Sequence, residues 1–257
     1  MNKNKKNSQS GSAGAFYNNI AGIYDKMIDF EKNLDLRGNA YKIIFPVPGK
    51  TADIGCGIGL DSIALAKNGH KVAAFDISEN MISKAKENFK KYNVTADAEV
   101  ASFKNITRKA AGKFNYVLSV GNTIAHMTKL ELRSAIKKMN SILIPGGKIF
   151  LHILNYSLIV KQSKRVNNIA NRGGHVIIRF YDFGKNDIGF NILSFPVDEP
   201  KNFKLITTKH YPHSKKEIGE YLKQAGFKKI KFTGSFEGAD FDSNSSKDLF
   251  VEAVKKL

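Results

Sequence analysis

From about residue 50 to residue 155 the chain alternates short apolar runs with longer stretches of helical spacing. Thr51–Ile54, Val72–Phe75, Ala98–Ala101, Phe114–Val120 and Lys148–Leu154 read as buried strands. Leu60–Ala66, Glu79–Lys90 and Leu130–Leu143 between them read as helices, and Pro145-Gly146-Gly147 reads as a turn before the fifth strand. Strands that alternate with helices in this way predict a sheet covered on both faces. Ahead of the first strand, apolar residues at Phe16, Ile20, Ile23, Tyr24, Met27 and Ile28 suit an amphipathic helix over Phe16–Lys32, with room for a break. A second helix is expected over Leu36–Phe45, ended by Pro46 and Pro48. After Tyr156 the rhythm changes. His175–Phe183, Phe190–Phe195 and Phe203–Tyr211 read as strands, separated by turns at Gly184–Asn186 and Pro196–Pro200. Lys215–Ala225 reads as a helix with Gly226 as its C-cap, followed by strands over Phe227–Phe232 and Leu249–Val254.

The chemistry concentrates in Thr51–Ala66, TADIGCGIGLDSIALA. Gly55, Gly57 and Gly59 form a tight turn between strand and helix, where bare backbone can touch a ligand. Free N–H groups at the following helix start favour polar or anionic groups. The dinucleotide fingerprint places its third glycine three positions after the second. Here that position is Leu60. Asp53, just ahead of the glycines, would repel a pyrophosphate and accept from a cationic amino-acid moiety. Asp76 stands at the tip of the second strand, where a carboxylate suits a ribose diol. The plainer reading of Asp76-Ile77-Ser78 is a cap on the helix Glu79–Lys90.

These two anchors resemble the first motifs of the class I methyltransferases that use S-adenosylmethionine (SAM), whose product is S-adenosylhomocysteine. The resemblance covers nearly all of the chain from Phe16 onward. It implies an α/β fold: a Rossmann-like, doubly wound, seven-stranded sheet with its last strand antiparallel, and an inserted antiparallel β lid. The expected organisation is a disordered tail over 1–15, helices covering the cofactor over 16–50 and a SAM-binding core over 51–156. The lid follows over 157–213, and a closing helix and strands over 214–257. The implied cofactor set is Asp53, Gly55, Cys56, Gly57 and Asp76 with Tyr24, Arg37, Ile77, Met81, Ala101, Ser102, Phe103, Ser119 and Gly121. By the resemblance Arg37 pairs with the SAM carboxylate; an ordinary surface arginine is the alternative. Phe103 either covers the adenine or fills the core.

The acceptor side resembles glycine and sarcosine N-methyltransferases. GNTIAHM follows the fourth strand, LNYS the fifth, and Tyr211-Pro212-His213 the lid. The Asp/Asn-Pro-Pro-aromatic run of nucleic-acid amino-methylases and the Pro-Cys of cytosine C5 enzymes are absent from the sequence. Asn122, His126 and Tyr211 are the candidates for the reacting centre, with His126 equally readable as a structural histidine. Tyr17, Tyr24, Tyr156 and Tyr211 could line the pocket. Arg179, Tyr181, Tyr211 and His213 are candidates for acceptor choice, Arg179 as a clamp on an acid end. The plainer reading puts Arg179 and Tyr181 on opposite faces of a lid strand.

Composition narrows the setting. One cysteine, Cys56, excludes a disulfide within the chain and suits a reducing cytoplasm. MNKNKKNSQSGSAG has no apolar segment to make a secretory signal, and no apolar run approaches a membrane span. Neither the spacing of Cys and His nor the acidic loop with Glu237, Asp240 and Asp242 suggests a metal site. Net charge is +18, but only six of the 41 basic residues are Arg and the lysines are scattered. That favours compositional bias over a nucleic-acid partner, which stays possible. The function expected is SAM-dependent methyl transfer to a small molecule at an amine nitrogen. RNA methylation and a non-catalytic SAM-binding regulator are the alternatives.

Overall fold

The computed structural model describes residues 8–10, 13–27, 29–103, 105–106 and 112–257. Ile28 and most of the expected tail lie outside the described residues. Strands are numbered in chain order: β1 (Ser8–Ser10), β2 (Lys50–Ile54), β3 (Lys71–Asp76), β4 (Ala96–Val100), β5 (Phe114–Ser119), β6 (Leu143–Leu154), β7 (Val166–Arg172), β8 (His175–Phe183), β9 (Ile188–Pro196), β10 (Lys204–His210), β11 (Phe227–Thr233) and β12 (Asp248–Lys255). The helices are α1 (Ala13–Met27), α2 (Phe30–Ile44), α3 (Leu60–Lys67), α4 (Glu79–Lys91), α5 (Lys129–Ile142), α6 (Tyr156–Gln162) and α7 (Lys215–Gln224).

Seven strands form the main sheet in the order β11-β12-β6-β5-β2-β3-β4. The last strand, β12, runs antiparallel to both its neighbours, as expected, while the central strands are parallel. The period of two divides its side chains between two cores. Val117, Ile149 and Leu151 point into one cluster with α5 and α7, whereas Leu118 and Phe150 point into the other with α2, α3 and α4. Neighbouring residues that face opposite ways and are all buried explain the continuous apolar runs of the central strands.

The lid is a second sheet, β1-β10-β9-β8-β7. Its inward residues Ile177, Ile192 and Ile206 pack on Phe16 and Ile20 of α1, which is held between the lid and Ile58 and Met81 of the core. Burying each such side chain contributes about 1.5–3 kcal/mol, so the lid is held through α1.

Three local expectations change. The second helix begins at Phe30, where Asp29 caps α2 by accepting from Lys32 N–H, and not at Leu36. Pro145-Gly146-Gly147 is an irregularity inside β6, where the β5 pairing jumps from Leu143 to Lys148, and does not separate two elements. The segment expected to be disordered through residue 15 contains β1, paired with β10, and the start of α1. Two elements were not read at all. β7 is an edge strand of mostly exposed polar residues, VNNIANR, paired only with β8, so no alternation marks it. α6 is one short helix that Asn155 caps.

Candidate active site

The carboxyl ends of β2, β3 and β5 open into a cavity of about 250 Å³. Its floor is the glycine turn. Gly55, Gly57 and Gly59 all have positive φ. The N–H groups of Gly55 and Cys56 both donate to Phe75 C=O, at 2.7 and 3.0 Å, and Gly59 N–H donates to Cys56 C=O at 2.9 Å. Gly57 N–H donates to Asp76 Oδ2 at 2.9 Å. These amides close the turn on the chain itself. What they leave to a ligand is bare backbone: nothing lies within 4 Å of a Cβ built on Gly57 or Gly121.

Asp76 lines the cavity beside the turn. Its Oδ1 accepts from Ser78 N–H at 2.9 Å, while Ser78 Oγ, not Asp76, caps α4. Burial raises the Asp76 carboxyl, and the N–H bonds from Ser78 and Gly57 work against that shift. Asp53 sits elsewhere than expected. It is fully buried under the turn and is not on the cavity wall. Its Oδ2 accepts from Ser62 Oγ at 2.6 Å, but Oδ1 is buried without a partner. Burial first, then Asp61, pushes Asp53 up to about 8.

Arg37 does reach the cavity, on α2. It pairs there with Asp61 of α3, which also accepts from Tyr41 Oη at 2.5 Å, and its guanidinium lies 4.4 Å from the Phe236 ring centroid. Burial opposes the charge of Arg37, and Asp61 more than restores it. Asp61 was not foreseen, because an acid in the first turn of a helix usually serves the helix dipole.

The roof comes from α1 and from the 3₁₀ turn Thr123–His126. Tyr17, Tyr24 and His126 line the cavity. Tyr17 Oη lies 3.0 Å from His126 Nε2, and His126 Nδ1 faces Thr208 Oγ1 at 3.5 Å. Burial pushes His126 down to about 4, the Lys209 backbone opposing it only in part. The neutral ring with its hydrogen on Nδ1 leaves Nε2 to accept from the Tyr17 hydroxyl. Behind His126, at 4.7 Å between ring centroids, lies His210. Tyr156 Oη stands 2.8 Å from His210 Nδ1 and accepts from Asn122 Nδ2 at 2.9 Å.

The structure therefore gathers Tyr24, Arg37, Gly55, Cys56, Gly57, Asp76, Ile77, Ala101, Phe103, Gly121 and His126 around one cavity. It places other predicted residues away from the wall. Met81 packs in the core against α1. Ser119 Oγ ties β5 to β2 by donating to Ile54 C=O. Ser102 C=O accepts from Asn105 N–H, and Ser102 stays off the wall. Asn122 is turned to Tyr156 and Leu154 N–H, one layer behind. Tyr211 is off the wall too: β10 ends at His210, and Tyr211 N–H donates to Ala125 C=O. The ring facing His126 is His210, one residue earlier. His213 pins the 3₁₀ turn through Nε2 on Met127 C=O, 2.8 Å away. Arg179 and Tyr181, two apart on β8, share a face, contrary to the reading that separated them.

The histidines give a pH prediction. His126 protonates near 6.5 when unfolded and near 4 in the fold. Between those values the unfolded state binds the extra proton, so stability is complete above pH 6.5 and falls as pH drops toward 4. The loss from His126 is about 2–3 kcal/mol at the acid end. His210 is also pushed well down by burial and adds to it. Urea unfolding at pH 7 and pH 4.5 should show the decline, flattened in His126→Gln; an unaltered pH slope in that variant would exclude His126 as its source.

Residues 52–147 match the family model described as "Methyltransferase domain". The chain is similar to a ubiquinone biosynthesis O-methyltransferase of Xanthomonas axonopodis pv. citri, 28% identical over 135 residues, covering 51% of this chain and 55% of that protein. It is also similar to a glycine/sarcosine N-methyltransferase of Parasynechococcus marenigrum, 25% identical over 146 residues, covering 56% and 52%. The chain thus spans about half the length of the curated relatives it matches. In fold it is similar to a crystal structure of an S-adenosylmethionine-dependent methyltransferase from Clostridium acetobutylicum, with a TM-score of 0.75 at 18% identity over 94% of this chain and 99% of that one.

Proposed function

We propose that this chain, whose residues 52–147 form a methyltransferase domain on the class I SAM-dependent fold, moves the methyl group of SAM to an amine nitrogen of a small molecule. One observation carries the reading: the glycine turn, the Asp76 carboxylate and the Tyr17–His126 pair meet on a single cavity.

The residues present fit the cofactor. Open space over Gly57 and Gly121 admits a ligand against bare backbone, beside the Asp76 carboxylate on the cavity wall. Asp76 would hold the ribose hydroxyls, Ile77 and Phe103 the adenine, and Arg37 the amino-acid end. SAM, when bound, supplies a methyl group on a sulfonium, which is an electrophile without help from a protein nucleophile.

The chain's own part is placement and proton handling. α1 covers the cavity and keeps water from the reacting centre. The Tyr17 oxygen can accept a hydrogen bond from the acceptor. A histidine pushed down to about 4 stays neutral, so His126 brings no positive charge to an arriving amine. It is also a weak base, of little help to a hydroxyl that must be ionised first. That asymmetry favours nitrogen over oxygen.

Labelled-methyl SAM offered with amines and with phenols tests the reading. Label should enter the amines, and Tyr17→Phe should lower kcat about 10–100-fold while SAM affinity stays within about twofold. Label confined to phenols would move the reaction to oxygen. Label found in RNA alone would remove the small-molecule reading.

A further inference from the structure

We infer that His152, near the end of β6, is a positioning residue for the cofactor: it holds Gly121 directly and Arg37 through Phe236, and so sets the end of the cavity that takes the amino-acid part of SAM. This rests on the SAM-binding reading above.

His152 is not on the cavity wall, but two residues that are, Gly121 and Arg37, lean on it. Its Nδ1 accepts from Gly121 N–H at 3.1 Å, and its Nε2 lies 2.9 Å from Asp248 Oδ1 of β12. A ring nitrogen that accepts an amide hydrogen carries none of its own. The ring's hydrogen is therefore on Nε2, where the Asp248 carboxylate receives it. Asp248 thus selects the tautomer that Gly121 needs. The ring is buried and stacks on Phe250, 4.5 Å between centroids at 18°, so it cannot turn away without breaking that stack.

The segment it holds needs holding. Gly121 and Asn122 have φ +71° and +70°. Such a turn persists only where its surroundings over-determine it, the more so at Asn122, which has a Cβ. The Asn122 side chain is tied to Leu154 N–H and Tyr156 Oη, and His152 ties the residue before it.

The second branch runs through the loop after β11. The Phe236 ring lies 6.3 Å from the His152 ring and 4.4 Å from that of Phe250. Arg37 places its guanidinium 4.4 Å from the Phe236 centroid. Asp61 pairs with the charge of Arg37, and the aromatic face limits where the fork can swing. Asp76, at the ribose end, is held by Gly57 N–H and Ser78 N–H instead. The two ends of the cofactor site therefore have separate supports.

That separation makes the inference testable with two ligands: SAM, and methylthioadenosine, which keeps the nucleoside and lacks the amino-acid end. Asn carries its oxygen two bonds from Cβ, where His152 has Nδ1, whereas the polar atoms of Gln lie one bond further out, as Nε2 does. In calorimetry on folded protein, His152→Gln and His152→Leu should weaken SAM about tenfold and leave methylthioadenosine within about twofold of wild type. His152→Asn should bring SAM back to within about threefold. Phe236→Leu carries the test if the His152 variants do not fold, with a loss of about two- to fivefold for SAM alone. Equal weakening of both ligands would make these residues general supports of the fold and overturn the inference. SAM affinity unchanged in His152→Gln and His152→Leu, or no better in His152→Asn than in His152→Leu, would overturn it too. Failure of the wild type to bind SAM would instead strike the reading beneath it.

Discussion

Gly55→Ala is expected to damage both stability and cofactor binding. Gly55 holds φ +80°, and a Cβ there would lie 2.3 Å from Thr123 Cγ2 and 2.6 Å from its Oγ1. The backbone conformation costs a residue with a Cβ about 1–2 kcal/mol. The overlap adds about 1–3 kcal/mol, since Thr123 is held by its hydroxyl on Val120 C=O at 2.8 Å and cannot simply rotate away. The sum is about 2–5 kcal/mol in urea unfolding, together with loss of SAM binding in the fraction that folds. The double variant Gly55→Ala, Thr123→Ala should recover the overlap part and leave the backbone part. A Gly55→Ala protein as stable as wild type would mean that the turn is not built as described.

Asp76→Ala should weaken SAM by about 1–3 kcal/mol, which is roughly 5–150-fold in Kd. The carboxylate is 7% exposed and lines the cavity. Its two oxygens already order the turn and the approach to α4, through Gly57 N–H and Ser78 N–H. Removing it takes away an acceptor for ribose and also loosens the cradle. Circular dichroism and calorimetry on the same sample separate the two effects. Unchanged affinity in a folded Asp76→Ala protein would detach Asp76 from the cofactor.

What could be read in the sequence was what is local. Strand, glycine turn and helix sit within the 18 residues Lys50–Lys67, and Asp76 ends the next strand, so chain connectivity alone brings Asp76 to the turn. Buried strands declare themselves by continuous apolar runs. Partnerships across long separations left no such trace. Nothing local tells Arg37 that Asp61 will face it, or Tyr17 that its hydroxyl will meet His126, 109 residues away. The same limit moved the lid residue from Tyr211 to His210. β10 sets which residues face inward, and the strand ends at His210, before the Tyr-Pro-His that drew attention. Asp53 was placed at the strand tip correctly. Its depth beneath the turn depends on Ser62, in the following helix. β7 escaped because an edge strand with exposed side chains needs only its neighbour's backbone, and not an apolar pattern.

The central claim is that this cavity holds SAM. Isothermal titration of SAM into the purified chain tests it most directly. The account predicts one site per chain with Kd in the range of about 1 µM to 1 mM, where enzymes commonly hold their substrates, and competition by S-adenosylhomocysteine at that same site. No heat of binding at millimolar SAM, from protein shown to be folded, would contradict it.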